Sequence, residues 1–162
     1  MIERRRPRIS ADYGISTSDT GMLVWADVAG SLAGATVFWV STVTDTATPH
    51  LTPIWGAWVD DAGYIEGGDT TRWSRNLIAR PDVHVGVEHA SRHVMVRGTA
   101  TKTDVDDETQ NAIADNYEEK YEYRPSGTTF WRITPDRVLA WDLSSIESFV
   151  DTPTEFRFEE TP

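Results

Sequence analysis

Cysteine is absent from the 162 residues, which excludes disulfides, thiolate nucleophiles and cysteine-ligated metal and leaves the redox compartment open. Lysine is nearly absent: Lys102 and Lys120 are the only two, and every other basic residue is arginine. Positive charge is scarce overall. Fifteen basic against 26 acidic residues give a formal charge of −11, which argues against nucleic acid or an anionic membrane surface as partner. No apolar run approaches the roughly 18 residues of a membrane span. The basic start, residues 1–8, is followed by no apolar stretch, so it reads as a tail rather than a signal peptide, and the expected location is the cytoplasm. Neither a Walker A pattern, nor GxGxxG, nor a Gly-x-Ser-x-Gly elbow occurs.

Metal chemistry finds little support. His50, His84, His89 and His93 follow no metal-site spacing, although His84 and His93 would be cross-strand neighbours in one pairing. Asp104, Asp106, Asp107 and Glu108 lack the glycine of a calcium loop and read as partners of a helix dipole. No metal site is expected.

What is present is an alternation of β-branched and aromatic residues. Residues 1–20 show no periodicity and predict a flexible arm; 21–162 predicts a single domain. Apolar positions three and four apart over 22–32 predict a helix ended by Gly34. Residues 36–43 predict a strand, and 50–60 a partner strand apolar on both faces, lying between a packed barrel and a covering layer. A turn at 61–63 leads to a strand at 64–66. Period two over 83–88 and 93–101 predicts a hairpin. A helix follows to about Tyr121, with Ile113, Tyr117 and Tyr121 as its stripe. Strands at 130–134 and 137–142, split around Pro135, complete the set, with a further edge strand possible at 154–158. About six strands with short helices describe a mainly β, antiparallel barrel.

The stretch 67–77, Gly-Gly-Asp-Thr-Thr-Arg-Trp-Ser-Arg-Asn-Leu, stands at the junction of a strand and a helix that ends before Pro81. Two glycines permit positive φ and close approach to a ligand. Asp69 or Thr70 is the expected N-cap, leaving free N–H groups at the positive end of the dipole. Arg72 and Arg75, three apart, share one face. Together these make an anion site, most naturally for phosphate. The competing reading is a capped surface helix with solvated arginines.

Four stretches in this order resemble the flavin-binding split-barrel superfamily, the pyridoxamine 5′-phosphate oxidase-like proteins: 38–43 (FWVSTV), 49–58 (PHLTPIWGAW), 71–77 (TRWSRNL) with Pro81, and 154–158 (TEFRF). The flavin and deazaflavin oxidoreductase branch is the most similar, and the resemblance spans about 22–158. It implies a six-stranded antiparallel split β-barrel with short flanking helices. It also implies a homodimer whose sites lie between subunits. By resemblance, Thr52, Pro53, Ile54, Trp55, Gly56 and Ala57 line the ring. Gly67 and Arg72 sit at the phosphate, with Thr70, Thr71, Arg75 and Asn76 close by. His93 matches a glutamine that the oxidases hold on the flavin, and Trp141 an aromatic residue delivered from the partner. The cofactor implied is FMN, with the deazaflavin coenzyme F-420 as alternative and haem, held by one histidine, as a third.

The departures bear on the reaction. Trp73 stands where the oxidases place a second base, and Thr52 where they have an arginine. Beyond Trp141 the chain offers Glu147 and Phe149 in place of an arginine and a histidine. The pyridoxamine phosphate site is missing, so a vitamin B6 oxidase is not expected. A bound ring would do the redox work, which explains the lack of a visible acid–base dyad. Trp39, Trp55, Trp58, Trp73 and Trp141 offer either a flat slot for planar ligands or core and interface packing. The expected activity is hydride transfer at flavin N5 to a small planar or conjugated substrate; the alternative is a non-catalytic flavin or haem binder or sensor.

Overall fold

Apolar–polar alternation builds nine strands among the residues described by the computed structural model, 1–159. Positions 160–162 of the expected domain lie outside the described residues. The strands are β1 Ile2–Arg5, β2 Phe38–Val43, β3 Pro49–Ile54, β4 Gly56–Val59, β5 Ala62–Ile65, β6 Asp82–His89, β7 Arg92–Asp104, β8 Thr129–Asp142 and β9 Thr154–Phe158. Four α-helices join them: α1 Trp25–Gly34, α2 Arg72–Ala79, α3 Asp107–Tyr121 and α4 Ile146–Asp151. Every strand pairing is antiparallel.

The barrel closes through a bend. β2 pairs β3 and β6, β6 pairs β7, β7 pairs β8, β8 pairs β5 and β5 pairs β4. β4 continues from β3 around Trp55. Counting β3 and β4 as one bent strand, the barrel has six. The far edge of β8 is divided: Trp131–Ile133 pair β5, and Arg137–Ala140 pair β9. The register of β7 and β8 shifts between Arg97 and Gly98, opposite Pro135. Proline has no N–H for a ladder and is tolerated at such a bulge. Residues 130–142 therefore form one continuous strand, where two had been expected.

Barrel interior and outer layer are distinct cores. Phe38, Val40, Ile65, Val83, Val94, Val96, Ile133 and Val138 fill the barrel, with Trp73 and Leu77 of α2 among them. Ala57, Ala62, Tyr64 and Phe130 meet Ile113 and Tyr117 of α3 in a second cluster. Apolarity on both faces of residues 57–59 thus has a cause within the chain: α3 is the covering layer. The expected turn at 61–63 lies one residue earlier, where Asp60 and Asp61 take positive φ of 47° and 58°.

Within the segment expected to be a flexible arm, Ile2–Arg5 pairs along β9. Its arginines supply the reason. Arg6 donates to the carbonyls of Ser18, Thr20, Asp151 and Pro153 at 2.6–3.0 Å. Arg5, Arg137 and Arg157 surround Glu155 at 2.5–2.8 Å, a carboxylate 1% exposed. Burial pushes the Glu155 carboxyl up, but the bonds from Arg157 and Arg5 and the Arg137 charge outweigh it, and the net shift is downward. A depressed folded value contributes stability above the unfolded value, and that stability is lost as pH falls through the folded one. Wild type should therefore lose stability as pH falls through and below the ordinary carboxylate range in denaturant titrations, with Glu155→Gln flattening that limb. Equal acid slopes would contradict it.

Candidate functional site

The stretch expected to hold an anion makes a corner at the start of α2, with a different cap. Thr71, not Asp69 or Thr70, is the N-cap: its hydroxyl accepts from the Ser74 N–H at 3.3 Å and donates to the Gly68 carbonyl at 3.1 Å. Asp69 is taken by Lys102 at 2.6 Å. The cap leaves the N–H groups of Arg72 and Trp73 at the helix end without a partner among the described residues. Arg72 and Arg75 are exposed and join no ion pair among the described residues. Both helix dipole and guanidiniums are thus turned to solvent at one place.

The glycines act otherwise than expected. Neither Gly67 nor Gly68 has positive φ. A Cβ on Gly67 would run into the Trp73 ring, so Gly67 is required by packing: the indole lies against its backbone. Asn76 is 5% exposed and donates to Thr42 Oγ1 at 2.9 Å, tying α2 to β2. Thr70 is exposed beside the cap. Burial raises the Glu66 carboxyl above its ordinary value.

The ring-lining stretch divides by face. Thr52 and Ile54 stand opposite buried Val40 and Phe38 and share their inward face. Leu51, Pro53 and Trp55 are exposed, Trp55 by 52%. One face of Trp55 stacks on Tyr121, 4.5 Å between centroids and 6° between planes. Gly56 is enclosed: its N–H donates to the Tyr121 hydroxyl, its carbonyl accepts from Lys120 and Tyr121, and a Cβ would meet the Phe38 ring at 2.6 Å. Ala57 is fully buried under α3. Gly56 and Ala57 are therefore covered, while Pro53 and Trp55 present surface.

Lys120 was not singled out in the sequence as a site residue. Its ammonium donates to the Ala35 and Gly56 carbonyls and lies over the Phe38 and Tyr121 rings. Burial pulls its pKa down to about 8. Between that value and the unfolded 10.5 the unfolded chain binds more protons, so this group adds stability as pH rises across the interval. Lysine-labelled protein gives only two ammonium-bearing signals. A midpoint of about 8 for Lys120 is expected by carbon NMR, and an unshifted midpoint would contradict it.

His93 and Trp141 are direct cross-strand partners on β7 and β8. The Trp141 indole N–H donates to the Phe149 carbonyl at 2.8 Å, and its ring packs on Phe149. His84 pairs Arg97 and His93 pairs Glu88, so His84 and His93 are not neighbours. No group of three metal-ligand side chains gathers among the described residues. The Lys102–Asp69 pair marks where β7 passes the α2 corner. His93 lies nine positions earlier on that strand, roughly 30 Å at 3.3 Å per residue. The site residues inferred from the sequence thus fall into two groups that one chain holds apart. Arg72, Arg75, Thr70 and Thr71 form one group; His93 and Trp141 form the other.

The family model of pyridoxamine 5′-phosphate oxidase matches residues 25–142. The chain belongs to this family. Similar solved structures include a conserved hypothetical protein from Mycobacterium tuberculosis (20% identity, TM-score 0.62, 75% of this chain and 86% of that one). An F420 reductase aligns at 20% identity and TM-score 0.53 over 67% of this chain and 93% of that one. A heme binding protein from Mycobacterium smegmatis aligns at 17% identity and TM-score 0.61, over 80% of this chain and 61% of that one. At these identities the likeness establishes the split-barrel fold. A search of curated proteins returns no match. No described helix is long and apolar enough to cross a membrane.

Proposed function

We propose that the chain is an FMN-binding oxidoreductase acting as a homodimer on a small planar or conjugated substrate. The observation that carries this reading is the α2 corner in a chain of this family: two exposed arginines and two N–H groups at one helix start, without partners among the described residues. Arg72 and Arg75 would neutralise the phosphate, with Thr70 beside it. The open face of Trp55 and the Pro53 ring would support one side of the isoalloxazine. Bound FMN supplies two-electron chemistry at N5. The chain's own part is to orient the ring, exclude water and set its hydrogen bonds.

Separation of the two residue groups supports the homodimer. His93 and Trp141 can meet the α2 corner of a second chain where they cannot meet their own. Leu51, Trp55 and Trp39, exposed by 61, 52 and 46%, form an apolar surface suited to that contact. Sedimentation should show a dimer at micromolar concentration, and a monomer would overturn the shared site. FMN is favoured over coenzyme F-420 because Arg72 and Arg75, in a chain of formal charge −11, are a poor setting for a longer polyanionic tail. Haem is the other reading, and the likeness to the mycobacterial heme binding protein supports it. Absorbance separates them: a yellow flavin spectrum is expected, and a Soret band would favour haem.

A further inference from the structure

Three successive pairs share the outer face of β7 and β8: His93 with Trp141, Met95 with Leu139, and Arg97 with Arg137. The last row carries a histidine and a third arginine beside that pair. His84 on β6 is the neighbour of Arg97, and Arg157 on β9 that of Arg137. Like charges directly opposite one another in a sheet are destabilising, and this chain, at −11, has few cations to place. Among the described residues, two carboxylates compensate the row. Asp136 bonds Arg97 Nε at 2.8 Å, and Glu155 is already shared by Arg5, Arg137 and Arg157. Arg137 Nε is buried without a partner among the described residues. His84, Met95, Arg97, Arg137 and Leu139 line a depression of about 270 Å³. Its apolar floor and its guanidiniums are one row apart, roughly 7 Å along the strands.

We propose that this depression binds the oxyanion of a small aromatic acid, with Met95 and Leu139 under its ring and Arg97 and Arg137 on its head group. Two guanidiniums from adjacent strands match a planar oxyanion, and an apolar row beside them selects against hydrated inorganic ions. The depression begins one row from His93–Trp141, which makes it a subsite for the substrate of the proposed oxidoreductase. Only that word "substrate" rests on the functional reading; the binding itself needs no cofactor.

Protein without added flavin tests it. Met95 is one of three methionines and His84 one of four histidines, so labelled methyl and imidazole signals report the depression directly. Benzoate and phenyl phosphate are the probes, and benzyl alcohol the uncharged control. Either anion is expected to shift both signals at millimolar concentration or below. The tighter of the two identifies the head group as carboxylate or phosphate. Arg97→Gln and Arg137→Gln are each expected to weaken it about tenfold. Arg97→Gln keeps the test standing if loss of Arg137 from the Glu155 cluster prevents folding, since among the described residues the Arg97 side chain bonds exposed Asp136 alone. Unmoved signals, equal binding of benzyl alcohol, or unchanged affinity in Arg97→Gln would overturn the proposal. Failure of FMN to bind in a separate titration would instead count against the functional reading alone.

Discussion

Arg72→Ala is expected to weaken FMN binding roughly 10- to 150-fold, the loss of a charge-assisted bond of about 1.5–3 kcal/mol. The side chain is exposed and has no partner among the described residues, so its removal should leave stability nearly unchanged. Arg75→Ala should act in the same direction, one turn further along the same face. Thr71→Ala acts differently: it removes the N-cap, costs about 1 kcal/mol of stability and affects affinity through the helix end. Titration of flavin-free protein by fluorescence separates these effects. Equal affinity in wild type and Arg72→Ala would place the phosphate elsewhere.

Gly98→Ala should be the most damaging single methyl in the chain. A Cβ there meets the Thr134 carbonyl oxygen, with the Thr134 carbonyl carbon at 2.9 Å and Pro135 Cα at 3.0 Å. These are backbone atoms at the bulge, where β8 exchanges β5 for β9 as its neighbour. Neither strand can move without disturbing a second pairing, so a loss of about 3 kcal/mol or more is expected. Gly30→Ala gives the contrast. That position is in α1 with nothing near its Cβ, and alanine there should add about 0.5–1 kcal/mol. Urea midpoints decide both, and a neutral Gly98→Ala would mean the bulge is not needed for closure.

Pattern carried most of the barrel. Valines 83, 85 and 87 announced β6 by alternation, and Ile113, Tyr117 and Tyr121 announced α3 by helical spacing. Local propensity failed where tertiary pairing decided. Pro135 reads as a break, yet a bulge carries β8 through it. The charged 2–5 segment has no periodicity, and its strand exists because β9 offers an edge and Glu155 offers an acceptor for Arg5. Ile146–Asp151 is a helix held by the Ser145 cap and by Phe149 on Trp141, contacts that no local pattern announces.

The candidate site was legible in a similar proportion. Arg72 and Arg75 stand out from spacing alone. Gly67 has a packing role that its place before a helix does not reveal: it makes room for an indole from within the chain. His93 and Trp141 could be named by resemblance, but not their distance from the α2 corner, which depends on the length of β7. The Arg97–Arg137 row was invisible for another reason. Outward alternation was readable on each strand, but which arginine meets which depends on a register that the bulge shifts.

Comparing FMN with riboflavin, which differs by the phosphate alone, tests most directly whether an anionic tail docks at the start of α2. FMN is expected to bind at least tenfold more tightly, and its addition alone should shift the amide signals of Arg72 and Trp73. Equal affinities, with those amides unmoved, would contradict the account.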